Sequence, residues 1–333
     1  LYTGTGSTLN ITGVGFQPDL VWVKGRSEVA SHRLNDIVRG AGTELLTNTS
    51  SAEYTYSPNT ALKSFDSDGF TLGTDNGINK NSVTYASWNW KAGTSFTNDA
   101  SATGIGTIDS TGSVNTTSGF SIVSWTGTGS NGTIKHGLST APKWVICKRI
   151  DADDGWWTYI NSIGAGGEII LNSTSAQGSN GGVLWNSTNP TSSVFSVGTN
   201  GGVNASSGTY IAYCFADVQG YSKFGSYTGN GNADGTFVYT GFKPAWFMVK
   251  RTDSADGWGM FDNKRDPHNQ VGGRFWGDTS DAESTGQAMD FLSNGFKIRA
   301  ANAYWNASGG NYIFMCFAEN PFTSSTGTPV TAR

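Results

Sequence analysis

Short apolar runs alternate along this chain with stretches of Gly, Ser, Thr and Asn. The runs are four to eight residues long, rich in Val, Ile, Trp, Tyr and Phe, and bounded by Gly, Asn, Ser or Pro. That is the pattern of strands joined by turns. No stretch of ten or more residues carries the i, i+3, i+4, i+7 spacing of a helix, so helices are expected to be few and short.

The apolar runs recur as a set. Three segments open alike: Tyr2-Thr3-Gly4-Thr5-Gly6, Trp125-Thr126-Gly127-Thr128-Gly129 and Tyr227-Thr228-Gly229-Asn230-Gly231. Each is followed by a proline, an apolar run and a lysine: Pro18 before Leu20-Val21-Trp22-Val23-Lys24, Pro142 before Trp144-Val145-Ile146-Cys147-Lys148, and Pro244 before Trp246-Phe247-Met248-Val249-Lys250. The offset 148 − 24 = 124 also carries His32 to Trp156 and Asn48 to Asn172. The offset 250 − 148 = 102 carries Asp154-Gly155-Trp156 to Asp256-Gly257-Trp258 and Cys214 to Cys316. A fixed offset over such distances marks internal repetition.

The expected organisation is three tandem copies, at 1–92, 112–218 and 219–320, with a Gly/Ser/Thr-rich linker at 93–111 and a tail at 321–333. Copies two and three are entered by strands at 119–125 and 220–227, and copy one shows no counterpart. The missing strand is expected ahead of Leu1, which makes the sequence read as the C-terminal piece of a longer polypeptide.

Each copy closes on a strand from a tyrosine to a large aromatic: Tyr85 to Trp90, Tyr210 to Phe215, Tyr312 to Phe317. Alternate positions put Ala86, Trp88 and Trp90, then Ile211, Tyr213 and Phe215, then Ile313, Met315 and Phe317 on one face, expected to be the core. The opposite face carries Ser87 and Asn89 in copy one but Ala212, Cys214, Phe314 and Cys316 in the others, so it needs a cover only in copies two and three. The lysine-ended strand is apolar on both faces and reads as central. The expected fold is all-β, three tandem antiparallel β-sandwich domains of jelly-roll-like character.

Composition changes this picture little. Charged residues are 14% of the chain, against about a quarter in average soluble proteins, yet aromatics at 13%, including 12 Trp, supply real cores. The net charge of −4 and the lack of a Lys/Arg cluster argue against nucleic acid. No apolar run nears the roughly 18 residues of a membrane span. The three Cys lie inside apolar strand-like runs, where they are expected buried and unpaired.

The segments Tyr2-Thr3-Gly4-Thr5-Gly6, Gly15-Phe16-Gln17-Pro18-Asp19-Leu20-Val21-Trp22-Val23-Lys24, Ser64-Phe65-Asp66-Ser67-Asp68-Gly69-Phe70-Thr71-Leu72-Gly73 and Trp88-Asn89-Trp90-Lys91-Ala92-Gly93 together resemble an uncharacterised repeated domain of marine bacteriophage structural proteins. The ending Pro329-Val330-Thr331-Ala332-Arg333 resembles the C-terminus of such proteins. The resemblance implies a virion component, part of a tail fibre, spike or other surface appendage. Its expected partners are other virion subunits, as a homo-oligomer, and a host-surface glycan. A secreted bacterial carbohydrate-binding protein or adhesin is the alternative.

Candidate chemistry is sparse. His32, His136 and His268 fall at different repeat positions, and no nucleophile-elbow, zinc-binding or P-loop motif occurs. Asp153, Asp154, Asp256, Asp262 and Asp266 are the carboxylates a glycan-cleaving pair would draw on, but acidic loop residues usually form turns. The chain reads as non-enzymatic, with no cofactor. Asp151, Asp153, Asp154, Asp253 and Asp256 crowd beside a glycine as in a calcium loop, without the alternation and terminal Glu of an EF-hand. Trp156 and Trp258 recur at one repeat position and are assigned to turn packing. Trp157, Trp185 and Trp305 do not recur, which makes them the candidate contacts for a ligand or partner.

Overall fold

The computed structural model describes residues 1–56, 60–286 and 288–319, so the expected tail at 321–333 lies outside the described residues. The chain is all-β and built of antiparallel sheets, with four one-turn helices among the described residues. Copy one contributes β1 (Tyr2–Thr3), β2 (Leu9–Ile11), β3 (Leu20–Gly25), β4 (Arg33–Asp36), β5 (Thr43–Leu46), β6 (Tyr54–Thr55), β7 (Leu62–Asp66), β8 (Gly69–Leu72), α1 (Asn76–Asn79) and β9 (Thr84–Trp90). Next come β10 (Thr94–Asn98), α2 (Ala100–Thr103) and β11 (Ser110–Asn115). Copy two contributes β12 (Phe120–Thr126), β13 (Gly132–Lys135), β14 (Trp144–Arg149), β15 (Trp156–Ile160), β16 (Gly167–Glu168), β17 (Gly178–Ser179), β18 (Val194–Val197), α3 (Gly201–Asn204) and β19 (Thr209–Phe215). Copy three contributes β20 (Ser222–Thr228), β21 (Phe237–Tyr239), β22 (Pro244–Arg251), β23 (Trp258–Asp262), β24 (Arg274–Trp276), β25 (Met289–Leu292), β26 (Gly295–Ile298), α4 (Ala303–Asn306) and β27 (Asn311–Ala318).

The strand order repeats. The lysine-bearing strands β3, β14 and β22 each lie between the closing strand, β9, β19 or β27, and the next strand in sequence, β4, β15 or β23. Lys24, Lys148 and Lys250 are the penultimate residues of those strands. A smaller sheet, β2-β8-β7 in copy one and β21-β26-β25 in copy three, covers one face. In copy three the Phe247 ring on β22 lies 4.5 Å from Phe296 on β26.

That covered face is not the one the alternation suggests. The interior holds Val21, Val23 and Tyr85 in copy one and Tyr312, Phe314 and Cys316 in copy three. Phe314 and Cys316 are therefore covered by the second sheet of their own sandwich, while Ser87 and Asn89 at the matching positions stay partly exposed. Trp88, Trp90, Ile313, Met315 and Phe317 lie on the other face and are buried as well. In copy three both faces are dry, and period-two patterning had nothing to rank them by. In copies one and two, aromatic residues of this outer face meet each other: Trp90 stands edge-on to Phe215 at 6.3 Å, and the Tyr213 hydroxyl donates to Asp36 at 2.7 Å. Cys147, Cys214 and Cys316 are buried and free.

Residues 93–111, expected to be a linker, are ordered structure. β10 pairs with β11 from Thr94↔Val114 to Asn98↔Ser110, and β11 pairs with β12, so the segment extends the sheet of copy two. Its Ser/Thr/Gly composition hides the hairpin from a search for apolar runs.

The recurring motif, Thr-Gly-Thr-Gly in copies one and two and Thr-Gly-Asn-Gly in copy three, is explained by one buried asparagine per copy. Asn79, Asn204 and Asn306 are fully buried at the ends of α1, α3 and α4. The side-chain oxygen of each accepts from the amide of the motif's third residue, Thr5 (2.8 Å), Thr128 (2.9 Å) or Asn230 (2.9 Å). Gly6, Gly129 and Gly231 follow with φ near +70°, a region that favours glycine. A Cβ on Gly4, Gly127 or Gly229 would collide with a carbonyl oxygen.

The described chain gathers into two compact units. One holds 1–172, 179–215 and 279–282, and the other holds 173–178, 216–278 and the chain from 283. The short pieces are straps contributed by one copy to another. Within the first unit the Ser50 carbonyl accepts from Lys148 Nζ (3.2 Å) and from the Asp154 amide (2.8 Å). There too the Ser280 carbonyl accepts from Lys24 Nζ (3.3 Å) and from the Ala30 amide (2.9 Å). In the second unit the Thr174 carbonyl accepts from Lys250 Nζ (2.9 Å) and from the Asp256 amide (2.8 Å). All three lysines have no exposed area. Burial brings each amine down to about 8, opposed by Asp281 and Glu28 at Lys24, Asp154 at Lys148, and Asp278 and Asp256 at Lys250.

The sign of the pH effect follows. Unfolded lysine keeps its proton to about pH 10.4, so between there and pH 8 the unfolded chain binds more protons and the contribution of these groups to stability rises with pH. In NMR titrations of lysine side chains, three ε-amines are expected to titrate near pH 8, apart from the surface lysines. Midpoints above 10 for all of them would contradict the burial.

Candidate functional site

Trp157, Trp185 and Trp305 are not brought together as a contact surface. Trp185 and Trp305 are 1% exposed and present no indole face to solvent. Trp157 is half-buried and donates its indole N–H to Asp154 at 2.9 Å. Trp157 and Trp305 differ from their repeat counterparts because of reciprocal packing. The Trp157 position on β15 is Arg33 on β4 and Gly259 on β23. In copies one and two the short helix supplies Gly77 and Gly202, where a Cβ would collide with Arg33 and Trp157 respectively. In copy three the strand supplies Gly259, the helix position of Gly77 and Gly202 is Tyr304, and the next helix residue, Trp305, at the position of Ile78 and Val203, lies over Gly259. Trp305 also stacks on Trp276 at 5.4 Å and stands edge-on to Phe261 at 5.1 Å. A large residue on the strand is thus matched by glycine on the helix, and the reverse.

The acidic candidates have structural partners. Asp151 pairs with Arg149 (2.9 Å) and Asp253 with Arg251 (2.8 Å), which holds both carboxyls below the usual carboxylate range. Asp154 accepts from Gly155 and Asp256 from Gly257, as turn residues do, while Asp153 accepts from the distant Ala52 amide of copy one. Asp262 is buried against Arg265, and Asp266 accepts from the Gly272 and Gly273 amides. Among the described residues no group of three or more His, Cys, Asp or Glu could hold a metal ion, and no helix is long and apolar enough to cross a membrane.

The surface that stands out is the outer face of the small sheet of copy three. Phe237 and Tyr239 are alternate residues of β21, 43% and 66% exposed, with Val238 between them turned to the core. Phe237 lies opposite Lys297 on β26, which lies opposite Asp290 on β25; Tyr239 lies opposite Gly295. The Phe237 ring reaches over Gly295 and the Tyr239 hydroxyl over Gly241, positions with no side chain to crowd them. Around the rings runs an ion-pair chain. Lys297 binds Asp234 at 2.7 Å, Arg299 binds the same carboxylate at 3.5 Å, and Arg299 binds Asp290 at 3.0 Å. The hydrogen bond and charge of Lys297 hold the Asp234 carboxyl below its usual range.

The fold does not require rings here. Val238 faces Phe296 as Ile11 faces Phe70 and Ile134 faces Phe195. The flanking outward positions are Asn10 and Thr12 in copy one and Thr133 and Lys135 in copy two. Aligning the copies at this strand would have revealed the pair from sequence; a search confined to tryptophan passes over it.

The chain belongs to the family described as Domain of unknown function (DUF7483). The family's model matches residues 1–321. No curated protein and no solved structure matches the chain. The DUF7483 match runs through all three copies and the segment between the first two, so the family is defined over the triplet and not over one copy.

In this DUF7483 chain the reciprocal packing gives a double-mutant test. Gly202→Ala alone is expected to cost about 1–3 kcal/mol by overpacking, and much of that is expected to return when Trp157→Gly is added. Additive losses in denaturant unfolding would contradict the reciprocity.

Proposed function

We propose that this chain is a non-enzymatic structural component of a bacteriophage virion, part of a surface appendage that assembles with other virion subunits and attaches to a host-surface glycan. The glycan-contacting face in this reading is the outer face of β21-β26-β25. The observation that carries it is the exposed pair Phe237 and Tyr239, at positions where the other two copies hold polar residues. Aromatic faces stack on the apolar faces of sugar rings, and the neighbouring polar groups hydrogen-bond hydroxyls. Lys297, Asp234, Arg299 and Asp290 satisfy one another's charge, which suits a neutral saccharide better than a strongly charged one. The sequence resemblance to phage structural proteins supplies the virion setting.

Binding to polysaccharides from bacterial envelopes, read by isothermal titration and by retention on immobilised glycan, tests the contact. The double substitution Phe237→Ser, Tyr239→Ser is expected to weaken binding at least about tenfold, the loss of about 1.4 kcal/mol, while leaving the thermal midpoint close to that of the parent. Undiminished binding by the folded double variant would remove this face from the account. Gold-labelled antibody on purified particles tests the virion setting separately.

A further inference from the structure

In copy one a carboxylate near the edge of the large sheet is neutralised within the fold. Glu44 on β5 pairs with Arg33 on β4, and Arg33 also donates to the Tyr56 hydroxyl at 2.8 Å. The strand register carries these positions into the other copies. Arg33 lies opposite Leu46, Trp157 opposite Ile170 and Gly259 opposite Trp276, so Glu44 corresponds to Glu168 in copy two and Arg274 in copy three. Tyr56 and Gly286 donate their amides to the carbonyls of Gly42 and Gly272, and so occupy one position. Copy three therefore reverses the charge, from Glu to Arg, and puts glycine where copy one has the partners Arg33 and Tyr56.

The Arg274 guanidinium is left uncompensated. Among the described residues its side chain makes no hydrogen bond or ion pair, and its Nε is buried without a partner, as is the Oγ of Ser284 directly opposite on the ladder. The neighbouring carboxylate, Glu283, is turned to Arg265 at 3.4 Å. Arg274 Cζ lies 5.3 Å from the centre of the Trp276 ring, which stacks on buried Trp305 and meets Tyr304 edge-on at 5.3 Å. Arg274, Trp276 and Ser284 are partly exposed and Tyr304 is 48% exposed. At the position of Tyr304 the other copies hold Gly77 and Gly202.

We propose that Arg274, Ser284, Trp276 and Tyr304 form a subsite for an acidic sugar, a hexuronic acid unit of a polysaccharide. A guanidinium presents a planar fork of donors that matches a carboxylate, and the serine hydroxyl adds a donor that can also accept from a sugar hydroxyl. The exposed Tyr304 ring offers an apolar face to the pyranose, and its contact with Trp276 holds it beside the charge. A buried polar group without a partner destabilises the fold that holds it, so a ligand carboxylate supplies what the chain itself omits at Arg274. This subsite suits the charged sugar that the self-neutralised ion pairs around Phe237 and Tyr239 do not. It rests on the reading of the chain as glycan-binding, through a surface separate from that of β21.

Isothermal titration of the full chain with tetragalacturonate, and with the neutral tetrasaccharide made by reducing its carboxyl groups, tests the subsite. The acidic form is expected to bind at least about tenfold more tightly than the neutral one. Arg274→Gln is expected to abolish that preference while leaving the thermal midpoint close to that of the parent, because the guanidinium has no hydrogen bond to lose. Arg274→Lys, which keeps the charge without the fork, is expected to retain part of it. The Phe237→Ser, Tyr239→Ser variant is expected to keep the preference in full. Absence of binding by tetragalacturonate, equal binding of the two forms, or a preference that survives Arg274→Gln would overturn the subsite, as would tighter binding of inorganic phosphate at Arg274. Neutral glycan binding that depends on Phe237 and Tyr239, found together with any of these, would leave the glycan reading standing and remove this subsite alone.

Discussion

An ammonium group removed from water has to be given oxygen acceptors, or it destabilises the fold that buries it. Lys24, Lys148 and Lys250 stand at the ends of the central strands with no exposed area, and the copy that holds each lysine does not supply all of its acceptors. The missing one is a strap carbonyl: Ser50 of copy one for Lys148, Thr174 of copy two for Lys250, Ser280 of copy three for Lys24. Each strap carbonyl also takes a backbone amide from the receiving copy, Asp154, Asp256 or Ala30. Every copy therefore gives one strap and receives one. This exchange accounts for residues 173–178 and 279–282 grouping with a copy other than their own.

With that frame fixed, the copies vary where the frame allows. The buried asparagine and its Thr-Gly-x-Gly partner, with Thr or Asn at the third position, are common to all three, because the asparagine oxygen and the glycine conformations leave little choice. The contact between Arg33, Trp157 or Gly259 and the short helix is kept as a filled volume, with the bulk moved from strand to helix in copy three. The outward positions of β2 and β21 are exposed, while those of β13, Thr133 and Lys135, are half-buried beside Thr107 and Phe96. There copy three carries Phe237 and Tyr239 in place of polar residues.

The all-β fold, the antiparallel pairing and the equivalence of the lysine strands were legible in the sequence because they rest on period-two runs and fixed offsets. The inner face was not, because Phe314 and Met315 are equally apolar and equally dry, and only the position of the second sheet distinguishes them. The hairpin at 93–111 was hidden by its polar composition. Of the candidate site, tryptophans that did not recur drew attention, yet Trp157 and Trp305 differ through an internal exchange of volume. Phe237 and Tyr239 differ because nothing inside the fold constrains them.

The strap contact is tested most directly by hydrogen exchange across residues 173–178 in a Lys250→Met variant. The account predicts that amides of this strap, and that of Asp256, exchange faster while the core amides of β22 and β27 keep their protection, because the dehydrated amine that tied the Thr174 carbonyl is gone. Unchanged exchange in the strap of a folded Lys250→Met chain would contradict the claim that the buried lysine holds the strap.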